Sequence, residues 1–407
     1  MPAPPDPDAF DTARRAFEAG LAAQQAGRPA EAEAHYRASL AALPGRPSTL
    51  TNLGVALLAQ GRADEALPLL QQASAAAPAH AEAWAHQGEA LLALARPAEA
   101  LQAYARLLAL PAPPPRAALR HAECLALLGR LDEALAEARA LCQHHADWAE
   151  PWRLAGSLHK DLGQADAARP ALQRAAALDP ADALSPWLLA GLDGARDAAT
   201  PPLPPPGYVE ALFDGYAADF ERHLETLEYR APELLLAGLV GRRYATALDL
   251  GCGTGQVGRL VRPLVDRLEG LDVSRAMVEQ ARATGVYDAL HTDEGVAHLR
   301  QRPAAALDLL LAADVFIYLG DLDPVFAAAR RALAPGGVFA FSVETAPAAA
   351  AVALLPTARY AHGSAYLEAL AARHGLVAQR SPEAATLRLE QRQPVAGQLW
   401  WLAAPPA

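Results

Sequence analysis

Residues 246–258 read TALDLGCGTGQVG. An apolar run ends in an acid, Asp249, and three glycines follow at alternate positions, Gly251, Gly253 and Gly255, before a helical pattern opens at Gln256. The spacing predicts a buried parallel strand, a tight turn and a helix. Glycine is used where the backbone needs φ > 0 or where a ligand lies directly on the main chain. In doubly wound α/β folds, ligands bind beyond the carboxyl ends of the strands, where this turn falls. Two ligand classes compete for it. Gly253, Gly255 and Gly258 satisfy the dinucleotide fingerprint G-x-G-x-x-G, which would suit a nicotinamide oxidoreductase. The acid and the earlier glycine point elsewhere.

Outward from the loop, strand signals fall at 245–250, 268–273, 290–292, 307–312, 338–343, 377–379 and 398–403. Helical patterns separate them at 256–264, 324–333 and 366–374, and another, capped by Ser274, runs to Ala283. Such alternation means a parallel sheet with helices on both faces. Ahead of it lie an amphipathic helix over 208–224, with Phe213, Tyr216, Phe220 and Leu224 on one face, and a second over 231–239 with Pro232 in its first turn.

The string of an acid, one residue and G-x-G-x-G resembles motif I of class I S-adenosylmethionine (SAM)-dependent methyltransferases. SAM carries an ammonium and a carboxylate at its methionine end. Exposed N–H groups of the loop residues Gly251, Cys252, Gly253 and Gly255 suit the carboxylate, and Asp249 suits the ammonium, directly or through water. Asp272, at the end of the next strand, is placed to accept both ribose hydroxyls as charge-assisted hydrogen bonds. Asp293 suits the adenine amino group, and Val273 and Met277 would sandwich the ring. Asp314 lies nearest the sulfonium and methionine end, while Tyr216 or Phe213 would cover the cofactor. The structural alternative for each strand-end acid is a helix N-cap. On the acceptor side, the long connection 344–363 holds Tyr360 and His362. Imidazole titrates near neutrality, which makes His362 the candidate general base.

The first half is repetitive. Gly20, Gly54, Gly88 and Gly156 recur at multiples of 34 residues, with Ala122 filling the gap. Ala32, Ala66, Ala100, Ala134 and Ala168 keep the same period, as do Gly27, Gly61, Ala95, Gly129 and Gly163. This is the tetratricopeptide repeat (TPR) pattern, with five units at 13–46, 47–80, 81–114, 115–148 and 149–182. Each unit is a helix pair that buries its apolar face only by stacking, which curls the array into a superhelix. A capping helix is expected over 183–198, a proline-rich spacer with few packing contacts over 199–207, and an unordered stretch over 1–10.

LDLGCGTG, GLDVSRAMVEQAR, AADVFIYLGDL, LAPGGVFAFSVE, RYAHGSAYLEALAARHGL and FDGYAADFERHL together resemble a bacterial family of TPR-fused class I SAM-dependent methyltransferases, over 208–407. The resemblance implies an all-α TPR superhelix followed by a Rossmann-like, seven-stranded α/β/α sandwich. Its last strand would run antiparallel between the fifth and sixth.

Composition narrows the partners. The 407 residues carry 35 basic and 46 acidic side chains, net −11, which argues against nucleic acid as the main partner. The single lysine, Lys160, lies in the first half, so the second half has no lysine for a Schiff base or a P-loop. Cys124, Cys142 and Cys252 show no C-x-x-C pairing, hence no zinc site is expected. No secretory leader or membrane span is legible, which makes the cytoplasm the expected compartment. The sequence thus predicts methyl transfer from SAM to an acceptor, small molecule or protein. The TPR groove would recruit substrate or a partner through an extended peptide or helix. The alternative is a TPR scaffold that binds SAM without turnover.

Overall fold

The computed structural model describes residues 7–217, 220–390 and 392–406; the side chains of Pro7 and Tyr216 lie outside the described set. The chain divides into two compact units, 1–158 and 159–407.

The first unit is helical. Its helix pairs are α1 (Pro7–Gln25) with α2 (Pro29–Ala42), α3 (Pro47–Leu58) with α4 (Ala63–Ala76), α5 (Ala81–Ala93) with α6 (Pro97–Leu108), and α7 (Pro115–Leu127) with α8 (Leu131–His144). Helix α1 therefore starts inside the stretch expected to be unordered; residues 1–6 lie outside the described set. The 34-residue glycines are explained by contact. A Cβ on Gly20 would sit 2.5 Å from Tyr36, on Gly54 2.6 Å from Leu70, and on Gly88 2.5 Å from Tyr104. In each pair the second helix lays a large side chain on the bare backbone of the first. The second periodic series has another cause: Gly27, Gly61 and Gly129 hold φ near +70° as left-handed turns between helices. Ala95 takes that place in its own repeat at φ +53°.

The fifth repeat supplies α9 (Ala149–Asp161) and α10 (Ala165–Leu178). In the second unit, α10 packs on α11 (Leu184–Leu192), and the chain continues through α12 (Tyr208–Tyr216), α13 (Phe220–Thr226) and α14 (Ala231–Ala237). The helix expected over 208–224 is thus two. A mixed sheet follows, with β1 (Tyr244–Leu250), α15 (Gln256–Val261), β2 (Val265–Asp272), α16 (Arg275–Thr284), β3 (Ala289–Thr292), α17 (Gly295–Gln301), β4 (Leu307–Ala312), α18 (Asp323–Ala332) and β5 (Leu333–Thr345). The hairpin β6 (Val352–Leu354) and β7 (Tyr360–His362) precedes α19 (Ser364–Arg373), β8 (Val377–Ala378), β9 (Glu383–Glu390) and β10 (Gln393–Ala403).

Strand order is β3-β2-β1-β4-β5-β10-β8, with β10 antiparallel to its neighbours. This seven-strand path is the Rossmann-like methyltransferase order, extended by β9 on β10 and by the β6–β7 hairpin on β5. Strand side chains alternate between faces. Leu248, Leu250, Leu310, Phe339, Phe341 and Trp400 enter one core with Phe326 and Leu367. Ala247, Leu309, Leu311, Ala340 and Trp401 enter the other with Leu235 and Val261.

Two expectations are corrected here. The connection 344–363 is not an open acceptor loop, because β6–β7 seals it against α11: Leu172, Trp187, Leu188, Leu354 and Tyr360 form one buried cluster. The proline segment does make contacts. The Pro202 carbonyl accepts the N–H groups of Gly320 at 2.9 Å and Asp321 at 3.0 Å. Nearby, the Asp197 carboxylate accepts the N–H of Ala351 at 2.6 Å.

Candidate active site

The β1 to α15 turn folds as its glycines dictate. Gly251, Gly253 and Gly255 hold φ of +67°, +52° and +95°, a region that L side chains enter at a cost. A Cβ on Gly251 would also lie 2.5 Å from Val315. Gly258 is required for a separate reason: its Cβ would meet the Tyr287 hydroxyl at 2.3 Å. Packing against Tyr287 therefore explains the third glycine of the dinucleotide pattern.

Asp272 organises the turn. Its carboxylate accepts the N–H of Gly253 and of Ser274, each at 2.9 Å, and borders the cavity while 8% exposed. Burial raises its pKa against those hydrogen bonds. The capping alternative does not account for the strand-end acids. Ser274 caps α16 and Glu294 caps α17, each through its own side chain, while α18 has no side-chain cap.

A cavity of about 830 Å³ opens at the carboxyl ends of β1 to β4, within the range of roughly 300–1,000 Å³ usual for ligand sites. Of the residues assigned to the cofactor, Gly251, Cys252, Gly253, Asp272, Val273, Asp293 and Asp314 line it. Three residues expected at the cofactor do not. Gly255 is the left-handed residue that turns the chain into α15. Met277 is buried at the start of α16. Asp249 follows the β1 alternation into a core face, where Tyr287 Oη donates to it at 2.7 Å and the other carboxylate oxygen has no hydrogen-bond partner among the described residues. Burial pushes that carboxyl up to about 7. The side chain of Tyr216 lies outside the described residues.

The catalytic expectation is corrected. His362 is fully buried beneath Gly320, 3.2 Å from its carbonyl, and does not border the cavity; burial pulls its pKa down to about 4. Tyr360 is equally buried and accepts a hydrogen bond from Trp187. Neither reaches a ligand in the cavity.

An ion network unseen in the sequence closes the cavity floor. Arg388 on β9, 3% exposed, binds Asp314 at 2.6 Å, Glu390 at 2.7 Å and also Glu344. Arg359 binds Glu390 and lies within 3.9 Å of Glu344. Burial alone would lower the Arg388 pKa, and the carboxylates around it outweigh that. Asp314 itself sits at φ +54°, its carboxylate and N–H both bonded to the Ser342 hydroxyl at 2.8 Å. No local motif marks Arg388, which stands in the β9 run EAATLRLE.

Above the floor, α12 and α13 form a cover. Asp214 accepts the Ser274 hydroxyl at 2.6 Å, and Glu221 accepts Thr254 Oγ1 at 3.0 Å. Phe213 meets Phe220 and Tyr318 edge-on, with ring centroids 5.9 and 5.3 Å away.

Family models match this architecture in sequence: a methyltransferase domain over 248–339, and tetratricopeptide repeats over 23–90, 57–119 and 149–182. The matches show a methyltransferase domain joined to tetratricopeptide repeats, as the class I methyltransferases fused to such repeats have. Its methyltransferase domain is similar to the malonyl-[acyl-carrier protein] O-methyltransferase of Salmonella typhimurium, 32% identical over 136 residues, covering 33% of this chain and 52% of that protein. It is also similar to human methyltransferase-like protein 27, 41% identical over 85 residues, covering 19% of this chain and 35% of that one. This chain thus spans about half the length of the Salmonella relative and less of the human one. Among solved structures, the YcgJ protein from Bacillus subtilis aligns at 14% identity and TM-score 0.36, over 44% of this chain and 99% of that one.

The methyltransferase domain fits SAM as its methyl donor. Gly251 and Gly253 keep a bare backbone at the cavity wall, and Asp272 presents a carboxylate there. Among the described residues, no group of His, Cys, Asp and Glu side chains is arranged to hold a metal ion, and no helix is long and apolar enough to cross a membrane.

Proposed function

We propose that the chain transfers a methyl group from SAM to an acceptor bound in the same cavity, and that the repeats recruit the substrate or a partner protein. The observation that carries this reading is the Asp272 carboxylate, bonded to the Gly253 N–H in a glycine turn that lines the cavity. Asp272 retains lone pairs for the ribose hydroxyls, and Asp293 stands beyond β3 for the adenine end. SAM supplies a methyl on a sulfonium; the acceptor lone pair takes it, the electrons of the broken bond stay on sulfur, and any acceptor proton passes to bulk solvent once the product leaves. The protein holds the two reactants in line and excludes water, the main contribution such a transfer needs. With His362 buried elsewhere, the reading requires no histidine base.

Calorimetry with SAM and NAD in parallel, followed by detection of S-adenosylhomocysteine after incubation with cell extract, tests it. Binding of SAM but not NAD, with turnover, is expected. NAD binding in place of SAM would overturn the reading, and SAM binding without turnover in any extract would favour a scaffold.

A further inference from the structure

We propose that the acceptor part of the cavity takes an uncharged, predominantly apolar small molecule, which enters whole past Leu203 and Leu212. The inference rests on the methyl-transfer reading.

Strand order gives the cavity two ends. The turns after β1, β2 and β3 carry the glycine cradle, Asp272 and Asp293. The other end is walled by Leu203–Pro206 and Tyr318, over the floor built from β4, β5 and β9, while α12 and α13, bonded to Ser274 and Thr254, reach across both ends. At this end Phe213, Leu224, Leu227 and Ile317 present hydrocarbon. Leu203 and Leu212, 55% and 40% exposed, are among the few large apolar side chains that the described residues leave in water, and both border this cavity. A single exposed leucine needs no explanation. Two on the rim of one cavity make an apolar entrance.

Charge on the floor argues for a neutral guest. Arg359 and Arg388 stand against Asp314, Glu344 and Glu390, a formal excess of one negative charge. SAM carries a sulfonium, an ammonium and a carboxylate, a formal excess of one positive charge. Cofactor and floor therefore balance when Asp272 and Asp293 at the cofactor end are set aside, and a charged acceptor beside Arg359 and Arg388 would be desolvated without a counter-ion. Both guanidiniums are already engaged. Glu210 borders the cavity but is solvent-exposed. Burial and the neighbouring Arg359 hold His223 below its usual pKa. The polar groups bordering the cavity include the Tyr229 phenol and the Tyr318 phenol, whose oxygen already accepts from Arg359; burial keeps both protonated. Each offers one hydrogen bond to a neutral oxygen or nitrogen.

The test uses the full chain saturated with S-adenosylhomocysteine and titrated with N-phenylnaphthylamine, a neutral fluorophore that brightens in apolar surroundings. Saturable binding of one probe per chain is expected. Leu203→Glu and Leu212→Glu, both at exposed positions that a folded chain tolerates, should each weaken it about tenfold while leaving S-adenosylhomocysteine affinity unchanged. Naphthoate and naphthylmethylammonium should bind about tenfold more weakly than the neutral probe. Charged naphthalenes matching the neutral one, or no saturable binding by the loaded protein, would overturn the inference. Failure of S-adenosylhomocysteine itself to bind would overturn the methyl-transfer reading and this inference with it. In lysate supplied with tritiated SAM, label is expected in solvent-extractable small molecules; label confined to precipitated protein or nucleic acid would refute an apolar small acceptor.

Discussion

The indole Nε1 of Trp187 donates to the hydroxyl of Tyr360 at 2.9 Å, across 173 residues of sequence. This bond joins α11, the helix that follows the repeats, to the β6–β7 hairpin of the methyltransferase sheet. Truncating Trp187 to alanine should destabilise the second unit by about 3–5 kcal/mol, the usual cost of removing a buried tryptophan. Trp187→Phe keeps most of the packing and should cost about 1 kcal/mol. Hydrogen exchange over 350–362 reads the effect locally, and protection unchanged in Trp187→Ala would contradict this docking.

The same contact predicts how the chain can be cut. A fragment starting at residue 208 loses α11 and the Leu203–Pro206 wall, exposing Leu354 and Tyr360. It should melt well below a fragment starting at 183, because each large apolar side chain returned to water removes about 1.5–3 kcal/mol. Equal melting temperatures would show that α11 contributes nothing to the fold.

Asp272→Asn should weaken SAM binding by about 1.5–3 kcal/mol, since a neutral amide replaces a charge-assisted acceptor. The side chain also accepts two backbone N–H groups, so Asp272→Ala should in addition loosen the glycine turn. Titration calorimetry separates the two: an Asn variant with native affinity would remove Asp272 from the cofactor site.

Within the turn, Gly251→Ala should be more damaging than Gly253→Ala. Both need positive φ, at about 1–2 kcal/mol for an L residue. Only at 251 would the new Cβ also collide with Val315; at 253 it meets Phe220 at an ordinary 3.5 Å. SAM affinities of the two variants give the order, and a reversed order would mean that the turn changes shape on binding.

Asp249 sets a pH dependence. Its folded pKa of about 7 lies above the 3.8 of a free aspartate, so folding favours the protonated carboxyl. Below the free value the group carries no penalty. As pH rises from there through about 7, its ionisation progressively destabilises the cofactor-free fold. Asp249→Asn should therefore be more stable than the parent by roughly 1–3 kcal/mol near pH 8, the advantage shrinking toward pH 4. Denaturation midpoints across that interval check the sign.

Local patterns in the chain were sufficient for much of this protein. The 34-residue period placed the helices of five repeats because bare glycine backbones at 20, 54 and 88 recur where a partner side chain must lie close. Strand alternation and the glycine pattern placed β1, the turn that lines the cavity and Asp272, since each depends on residues adjacent in sequence. The rest depended on contacts that no local pattern encodes. Asp249 ends the same strand as the cradle, yet side-chain alternation and Tyr287, 38 residues on, draw it into the core. His362 and Tyr360 look reactive in a long alanine-rich connection, and only the docking of α11 shows that they are packed. Arg388 reaches Asp314 across 74 residues. Burial and charge pairing arise when distant segments meet, and the tertiary structure alone decided which polar groups face the cavity and which are sealed beneath it.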